Sequence, residues 1–260
     1  MMQNVKLQEY DHLPTPVLAI GTDYRDGYLL PRHSHRRAQL LYAGTGVMEV
    51  FTDEGTWIVP IHSAVWIPPG IAHEIRMMGV STRSLYIEPA FQPRHSTGCE
   101  VIRVSPLLRQ LLLSAVDIGA EYENDSREGR LMALILDEIT ASPVMPLTLP
   151  MPKDSQLHQL CADFGKAPSI LTRPQDWALQ LNKSERNFTR FFRQQTGQSF
   201  GTWRTQACLM QAVVQLGQGA GVTTVALSLG YDSPSAFSTQ FKNVLGISPS
   251  QYFQQGQIRA

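Results

Sequence analysis

Three histidines are the residues of this sequence best suited to binding chemistry. His33 and His35 are separated by one residue, Gln39 follows four residues later, and His73 lies in a later segment. Alternate residues of a β-strand point to the same face, so His33 and His35 share a face. If the strands close into a barrel, His73 lies opposite them and three imidazoles face an interior cavity. Such a set holds a divalent metal or lines the pocket of a small organic ligand.

A second set of candidate binding residues lies on one predicted helix in the other half of the chain. Arginine and threonine side chains occupy one face of this helix at positions i, i+3, i+4 and i+7, namely Arg186, Thr189, Arg190 and Arg193. Phe188, Phe191 and Phe192 form the opposite, buried face. Arginine donates paired hydrogen bonds to guanine in the major groove and also neutralises phosphates. A solvated face without a partner has the same spacing, so this helix alone does not separate the two interpretations.

The sequence around this helix is repeated. The matching positions, 49 residues apart, are Ser184 and Ser233, Phe188 and Phe237, Phe192 and Phe241, Gly197 and Gly246, and Ser199 and Ser248. Each copy predicts a short helix, a tight turn and a second helix that a serine caps and a glycine ends. These helices cover residues 174–181 and 185–196, and again 224–229 and 234–245. On the last of them the outward-facing residues are Ser235, Ser238, Thr239 and Lys242.

Two such units predict a pair of helix-turn-helix motifs, with a generic helical repeat as the alternative. The second helix of a helix-turn-helix fits into the major groove of DNA. A predicted helix over residues 200–217 joins the units and is about 27 Å long. Successive major-groove faces are about 34 Å apart. The length of the joining helix comes close to this distance once the offsets of the two recognition helices are added, so the two units are suitably spaced to contact one duplex.

The first half of the chain predicts a different fold. Short β-rich runs alternate with turn residues, and the predicted strands are residues 38–42, 46–52, 56–60, 64–67, 73–77 and 84–88. Many short strands without helices between them indicate a β-barrel or sandwich. Predicted helices at 105–119 and 126–141 follow, and the first exposes Leu107, Leu113 and Val116. A helix that is apolar almost all round needs a second packing partner, so we expect this helical pair to form a homodimer.

Composition separates the two halves. A length of 260 residues predicts one or two globular domains, and a content of 43% hydrophobic and 17% charged residues predicts a packed core rather than disorder. Residues 1–150 contain 12 Lys+Arg against 17 Asp+Glu, whereas residues 151–260 contain 10 against 5, so nucleic acid is the candidate partner of the basic half. The uncharged segment 143–152 has four prolines and predicts an extended linker. Three scattered cysteines, without an apolar run of membrane length, predict a soluble cytoplasmic protein.

The β-rich half resembles the cupin barrel over roughly residues 17–90. The resemblance rests on the motif Gly27-x5-His33-x-His35-x3-Gln39-x6-Gly46, followed by Pro68-x-Gly70-x2-His73. In metal-binding cupins the first part supplies two histidines and a glutamate, and the second part supplies a third histidine. Here Gln39 replaces the glutamate, and His62 stands where the second part usually begins with glycine.

Gln39 determines which ligand this pocket is expected to hold. A neutral amide is a weaker metal ligand than a carboxylate and does not balance the charge of a cation, but it hydrogen-bonds organic molecules well. The resemblance therefore implies a small-molecule effector pocket without a cofactor, lined by His33, His35, Gln39 and His73. If a metal binds, its ligands are the three histidines.

The basic half resembles the DNA-binding domain of the AraC/XylS transcription regulators over roughly residues 155–255. The stretch that carries the resemblance is Ala226-x3-Gly230-Tyr231-x-Ser233-x-Ser235-Ala236-Phe237-x3-Phe241-Lys242-x3-Gly246-x-Ser248-Pro249-x2-Tyr252. The DNA-contacting residues it implies are Arg186, Thr189 and Arg190 in the first unit and Pro234, Ser235, Ser238 and Thr239 in the second, with Arg193 and Lys242 on the same exposed faces. Thr239 and Cys208 stand where the family is often basic, so we expect the first unit to dominate specificity.

Together the resemblances imply a sequence-specific, effector-responsive transcription regulator, from a subgroup in which some members control a neighbouring transporter gene. Its domains are a cupin-like effector-binding and dimerisation domain (1–142), a proline-rich linker (143–152) and an AraC-type DNA-binding domain (153–260). The expected partners are promoter DNA, the effector, a second copy of the chain and, for an activator, RNA polymerase, with no membrane and no catalytic residue. The alternatives are a metal-dependent cupin enzyme, either a dioxygenase or an isomerase, and a protein-interaction adaptor.

Overall fold

The computed structural model, which describes residues 7–252, divides into two compact units. The first unit runs to Thr52 and continues over Val59–Met145, and the second contains Asp53–Ile58 and the chain from Pro146 onward. Antiparallel sheets followed by two helices form the first unit, and helices form most of the second. This arrangement confirms the predicted fold class.

Two sheets form the β-rich part of the first unit. The strands are β1 (Val17–Asp23), β2 (Leu29–His33), β3 (Ala38–Ala43), β4 (Val47–Phe51), β5 (Gly55–Pro60), β6 (Ser63–Ile67), β7 (His73–Met78), β8 (Ser81–Ile87) and β9 (Glu100–Arg103). One sheet has the order β1-β8-β3-β6-β9, and the other contains β4, β7 and β2. The strand pairs within them are antiparallel. Strand β5 begins in the second unit and ends in the first.

The central strand β3 is buried on both faces. Ala38, Leu40 and Tyr42 belong to the core that includes helices α1 (Pro106–Ala115) and α2 (Arg127–Ala141). Alternation directs Gln39 to the opposite face, where it is buried. The fold therefore places this predicted pocket residue in the interior, on the side away from the helices.

Helices α1 and α2 begin close to the positions that the sequence predicts. The hydroxyl groups of Ser105 and Ser126 cap them by accepting hydrogen bonds from backbone N–H groups. Helix α1 ends at Ala115 rather than at residue 119. The prediction that Val116 is exposed is wrong, because the chain leaves the helix there and the side chain enters the core, where it is 3% exposed.

The second unit is mainly helical, as predicted. Its helices are α3 (Ser155–Lys166), α4 (Pro174–Gln180), α5 (Glu185–Thr196), α6 (Phe200–Gly217), α7 (Val222–Ser228) and α8 (Pro234–Leu245). The bounds of α5, α6 and α8 are those predicted from the sequence, whereas α3 was not predicted. Within residues 7–252, no helix is both long enough and apolar enough to cross a membrane.

The proline-rich segment contains a short strand, β10 (Thr148–Pro150). It pairs antiparallel with the start of β5, where Thr148 lies opposite Trp57 and Pro150 lies opposite Gly55. The carbonyl oxygen of Pro150 accepts a 2.8 Å hydrogen bond from the indole N–H of Trp203 on α6. These bonds hold this part of the segment in an extended conformation within the second unit.

An aromatic cluster holds α3, α4, α5 and α6 together. Its members, with centroids of neighbouring rings 5.0–6.3 Å apart, are Phe164, Trp177, Phe188, Phe192, Phe200 and Trp203. A smaller cluster joins α8 to the residues on either side of it, with centroids of neighbouring rings 5.4–5.8 Å apart. Its members are Tyr231, Phe237, Phe241 and Tyr252. Buried aromatic rings contribute large apolar areas and prefer defined geometries, so they fix the orientation of α5 and α8.

Candidate nucleic-acid interface and histidine cluster

Helix α5 has one basic face and one aromatic face. The exposed residues include all four predicted contact residues of the first unit, Arg186, Thr189, Arg190 and Arg193. Phe188 and Phe192, on the other side, are fully buried. Ser184 caps the helix, and the left-handed backbone of Gly197 (φ 73°) ends it. The packing therefore fixes α5 with its basic face towards solvent.

A groove with a volume of about 650 Å³ lies beside α5, and we call it the arginine groove. Its lining residues are Pro174, Arg186, Thr189, Arg190, Arg193, Ser199, Phe200, Gly201 and Arg204. None of these four arginines forms an ion pair with a carboxylate among the described residues. The groove therefore presents uncompensated positive charge, which attracts phosphate groups.

Arg204 is a groove residue that the sequence analysis missed. It lies in the second turn of α6, directly after Trp203 of the aromatic cluster. Its Nη1 donates a 2.6 Å hydrogen bond to the carbonyl oxygen of Thr172, which anchors the guanidinium. The packing of α6 beside α5 brings Arg204 to the groove. The sequence signal that could have identified Arg204 is its place early in the joining helix, directly after an aromatic residue.

Phe191 departs from the predicted inward face of α5. It is only half-buried, and the Lys183 ammonium lies 4.6 Å from the centre of its ring. A cation at this distance over an aromatic face makes a cation–π interaction. Phe191 therefore belongs to the edge of the unit and contacts the turn that precedes α5.

The turns of the two helix-turn-helix units are built alike. In the first turn, Asn182 has a φ of 50°, and the N–H of the next residue donates to the carbonyl oxygen of Ala178 at 2.8 Å. In the second turn, Gly230 has a φ of 80°, and the corresponding bond to Ala226 is 3.0 Å long. Glycine and asparagine are the residues that adopt positive φ most readily. The sequence repeat therefore corresponds to a repeated structure.

Helix α8 has a polar face with less positive charge than α5. Ser235, Thr239 and Lys242 are exposed, and Pro234 and Ser238 are half-buried. The side that packs inward is apolar and includes Phe237, Phe241 and Leu245. Because α8 contains one basic residue and α5 contains three, the first unit presents the stronger attraction for a polyanion.

In the first unit, the structure brings His33, His35 and His73 together. His33 on β2 lies directly opposite His73 on β7, with ring centroids 4.3 Å apart. His35, just before β3, has its ring centroid 5.2 Å from that of His73 and 6.0 Å from that of His33. One ring nitrogen of each residue lies within 4.8 Å of those of the other two. We call this group the histidine cluster.

Backbone carbonyl groups orient all three imidazoles. In each case Nδ1 donates to a carbonyl oxygen two residues away, and the pairs are His33 and Pro31 (2.8 Å), His35 and Arg37 (2.6 Å), and His73 and Ile71 (2.8 Å). A carbonyl oxygen only accepts, so Nδ1 carries the hydrogen in His33 and in His73, and Nε2 of each ring has a lone pair when the imidazole is neutral. In His35 both ring nitrogens face acceptor oxygens, the carbonyl oxygen of Arg37 and the amide oxygen of Gln39.

Burial keeps two of these imidazoles neutral. It lowers the pKa of His73 to about 4 and also lowers the pKa of His35. The nearby His33 lowers both pKa values further, because two positive charges at this separation repel each other. At neutral pH Nε2 of His73 is therefore unprotonated.

Gln39 joins the histidine cluster from β3. Its carboxamide lies 3.0 Å from Nε2 of His35, 3.3 Å from the hydroxyl of Ser84 and 3.1 Å from that of Tyr86. The amide oxygen of Gln39 faces Nε2 of His35, and its NH2 group donates to both hydroxyl groups. The structure thus brings all four predicted pocket residues together.

Comparison with known proteins connects both units to transcription regulators. Residues 16–138 match the family model of the AraC-like ligand binding domain, and residues 177–255 match that of a helix-turn-helix domain. The HTH-type transcriptional regulator NimR of Escherichia coli is 34% identical over 223 residues, which cover 85% of this chain and 81% of that protein. An uncharacterized HTH-type transcriptional regulator of Haemophilus influenzae is 38% identical over 91 residues, or 32% of this chain and 30% of that protein. The crystal structure of ToxT from Vibrio cholerae covers 93% of this chain and 98% of its own, with 11% identity and a TM-score of 0.40.

Proposed function

This chain belongs to the AraC family of helix-turn-helix transcription regulators, and we propose that α5 and α8 read promoter DNA while the histidine cluster binds a small-molecule effector. The observation that carries the DNA assignment is the exposed basic face of α5, which a buried aromatic cluster holds in place. Helix α8 repeats this plan with a polar face. The effector can control the regulator only if it prefers one arrangement of the chain over another.

We assign base reading mainly to α5. Arg186 and Arg190 lie in the N-terminal half of this helix, the part of a recognition helix that contacts base edges. Arg193 lies further along, where a phosphate contact fits better. The residues that contact DNA from α8 are Pro234, Ser235, Ser238, Thr239 and Lys242. Serine and threonine form hydrogen bonds with several different bases, so we expect the second unit to position the protein on DNA more than to select the base sequence.

Arg204 on α6 is assigned to a phosphate, because it lines the groove without belonging to the reading helix. Arg204→Ala is expected to weaken binding to every DNA sequence by a similar factor. The slope of log affinity against log salt should decrease in magnitude by about 1. Fluorescence anisotropy with cognate and random duplexes over a salt series measures both quantities. The control is Lys166→Ala, which removes an exposed charge outside the groove; an unchanged slope in Arg204→Ala would refute the assignment.

Genome-wide mapping of the DNA bound in cells tests the proposed function. We expect the wild-type chain to bind a small number of promoters. The Arg186→Ala/Arg190→Ala double variant, present at the same protein level, should no longer bind them. A variant that keeps the wild-type sites would exclude α5 as the reading helix. A protein-interaction adaptor would instead keep its protein partners in the double variant, and an enzyme would show turnover that does not depend on these arginines.

The genes beside the bound promoters identify the chemical class of the effector. We propose that a transporter gene is among them, and that the regulator acts in the cytoplasm, with RNA polymerase as a partner if it activates transcription. The histidine cluster offers imidazole, amide and hydroxyl groups to a polar organic molecule. We assign these residues to binding rather than to catalysis.

We further propose that α1 and α2 join two copies of the chain. Leu107 on α1 and Leu134 on α2 are 50% and 41% exposed. Replacing both with glutamate is expected to convert a dimer into a monomer in sedimentation experiments, because charges do not pack in an apolar interface. Leu179→Glu, at a 75% exposed leucine of the second unit, is the matched control. A wild-type monomer, or a natively folded double variant with unchanged mass, contradicts this proposal.

A further inference from the structure

The chain between α3 and α4, residues 167–173, lies against the turn of the second helix-turn-helix unit, and we call it the α3–α4 loop. We propose that this loop holds α5 and α8 at one fixed separation and so determines which spacing of DNA bases the chain recognises. The inference rests on the proposed reading of DNA by these two helices. It adds a positioning role for Gly230 and for two loop residues, Ser169 and Leu171.

The loop is bonded to the turn that leads into α8. The backbone N–H of Ile170 donates a 2.9 Å hydrogen bond to the carbonyl oxygen of Leu229, the residue that follows α7. Gly230 and Tyr231 come next in the chain. Tyr231 is buried, and its ring centroid lies 5.4 Å from that of Phe237 on α8. A displacement of the loop therefore displaces α8.

At its other end the loop continues directly into the first helix-turn-helix unit. The backbone N–H of Arg173 donates to the carboxylate of Asp176 at 3.1 Å, which fixes the start of α4. Trp177 on α4 packs against α5, with its ring centroid 6.3 Å from that of Phe188 and 6.2 Å from that of Phe192. The two reading helices are thus connected by a second route, which does not pass along α6.

Gly230 leaves the space that the loop occupies. A Cβ atom at this position would lie 2.8 Å from Oγ of Ser169, 3.1 Å from Cγ of Leu171 and 3.2 Å from its Cδ1. The matching position of the first turn holds Asn182, which also has a positive φ. Asparagine therefore suits the backbone of such a turn. The second turn needs glycine for a further reason, which is its contact with the loop.

A fixed separation of α5 and α8 makes the chain sensitive to the spacing between its two blocks of bases. One added base pair moves the second block by about 3.4 Å along the duplex and rotates it by about 35°, since a turn contains about 10–10.5 base pairs. Two connections between the helices resist the tilt that would follow this movement. We expect the wild-type chain to lose about fivefold or more in affinity when one base pair is added or removed, because one helix then loses a base contact.

Gly230→Asn tests the loop contact while keeping a residue that accepts the positive φ. Its Cβ displaces the loop, so the variant should bind the shifted spacings nearly as well as the selected one. Adding Ser169→Gly and Leu171→Ala to Gly230→Asn removes the side chains that this Cβ meets, and the single spacing should return. The matched control is Gly219→Asn, at a glycine with a φ of 91° where an added Cβ meets no neighbouring atom of the described chain within 4 Å.

Two measurements on the full chain test the proposal. Pulsed electron paramagnetic resonance gives the distance between spin labels at Gln194→Cys on α5 and Asn243→Cys on α8, both exposed positions, without any DNA. The three native cysteines are buried, so the labels react at the introduced sites, and an excess of unlabelled chain keeps each measured pair within one molecule. Binding isotherms use duplexes with the motif that the wild-type chain selects, at its own spacing and at one base pair more or less.

We expect one narrow distance in the wild-type chain and in Gly219→Asn, and a displaced or broader distribution in Gly230→Asn. A broad wild-type distribution, or an unchanged one in folded Gly230→Asn, overturns the proposal, as does equal wild-type affinity for all three spacings. If thermal melting shows that Gly230→Asn is unfolded, Ser169→Gly/Leu171→Ala takes its place, because it removes the loop packing without crowding the turn and should also broaden the distribution. The distance needs no DNA, so a loop that fixes nothing is distinguishable from a chain that does not read DNA.

Discussion

Phe192→Ala is expected to lower the stability of the second unit by about 3–5 kcal/mol and to abolish DNA binding. Phe192 is fully buried where α4, α5 and α6 meet. Its ring centroid lies 5.4 Å from that of Phe200, 5.6 Å from Trp203 and 6.2 Å from Trp177. Removing the ring leaves a cavity that rigid neighbours cannot fill, and α5 loses the contacts that orient its basic face.

The neighbouring residue provides the control for this substitution. Phe191→Ala removes the same side-chain volume from the same helix, but Phe191 is half-buried at the edge of the unit. We expect Phe191→Ala to lower the free energy of unfolding by about 1 kcal/mol, mainly because the contact with Lys183 is lost. Urea unfolding followed by tryptophan fluorescence measures both variants, since Trp177 and Trp203 belong to the same cluster. An equal decrease in the free energy of unfolding for the two variants would contradict the role given to Phe192.

Arg190→Ala is expected to weaken binding to the cognate operator by about 1–3 kcal/mol while changing binding to random DNA very little. This corresponds to about a 5- to 140-fold loss of affinity. Arg190 is exposed on the reading face of α5 and has no carboxylate partner within residues 7–252, so it is available for paired hydrogen bonds to guanine. Binding isotherms on the two kinds of duplex at one salt concentration measure the difference.

Arg193→Ala is the comparison for Arg190→Ala, because both remove one arginine from the same helix face. We assign Arg193 to a phosphate, so its removal should weaken cognate and random binding equally. If Arg190→Ala also causes an equal loss on both duplexes, Arg190 is a phosphate contact and another residue carries the specificity.

The helices of the second unit could be predicted from the sequence because their ends are encoded locally. Ser184 and Ser233 cap α5 and α8, and Gly197 and Gly246 end them with positive φ. The structure confirms the predicted bounds of both helices. The sequence also contained a signal for α3, since Asp154 caps it and its buried residues recur at helical spacing. This shorter signal lies outside the repeat, and the prediction omitted it.

Some strands of the first unit could not be predicted from local pattern. Strand β2 includes a proline, is mostly exposed and has an irregular register between Leu30 and His33. These features suit an edge strand but hide the alternation that identifies strands. The same irregularity lies next to His33, so the orientation of its imidazole depends on backbone geometry that spacing alone does not specify.

The parts of the site that depend on packing were also hidden. Arg204 reaches the arginine groove because α6 lies beside α5, and no residue spacing reports that distance. The hydrogen bonds that orient the imidazoles, and the contact between Gln39 and His35, likewise join groups that only the folded chain brings together. Sequence motifs identified the four residues of the pocket, whereas the structure shows which carbonyl oxygen each Nδ1 faces.

Selection of a random duplex library by the purified full chain tests most directly whether α5 and α8 read one DNA molecule. The expected product is a motif with two separate blocks of preferred bases, centred about one helical turn, 10–10.5 base pairs, apart. The Arg190→Ala chain should lose the preference at one position of the stronger block and retain the other block. Selection of a single block, or of no preferred sequence at all, would contradict the paired reading of DNA by these two helices.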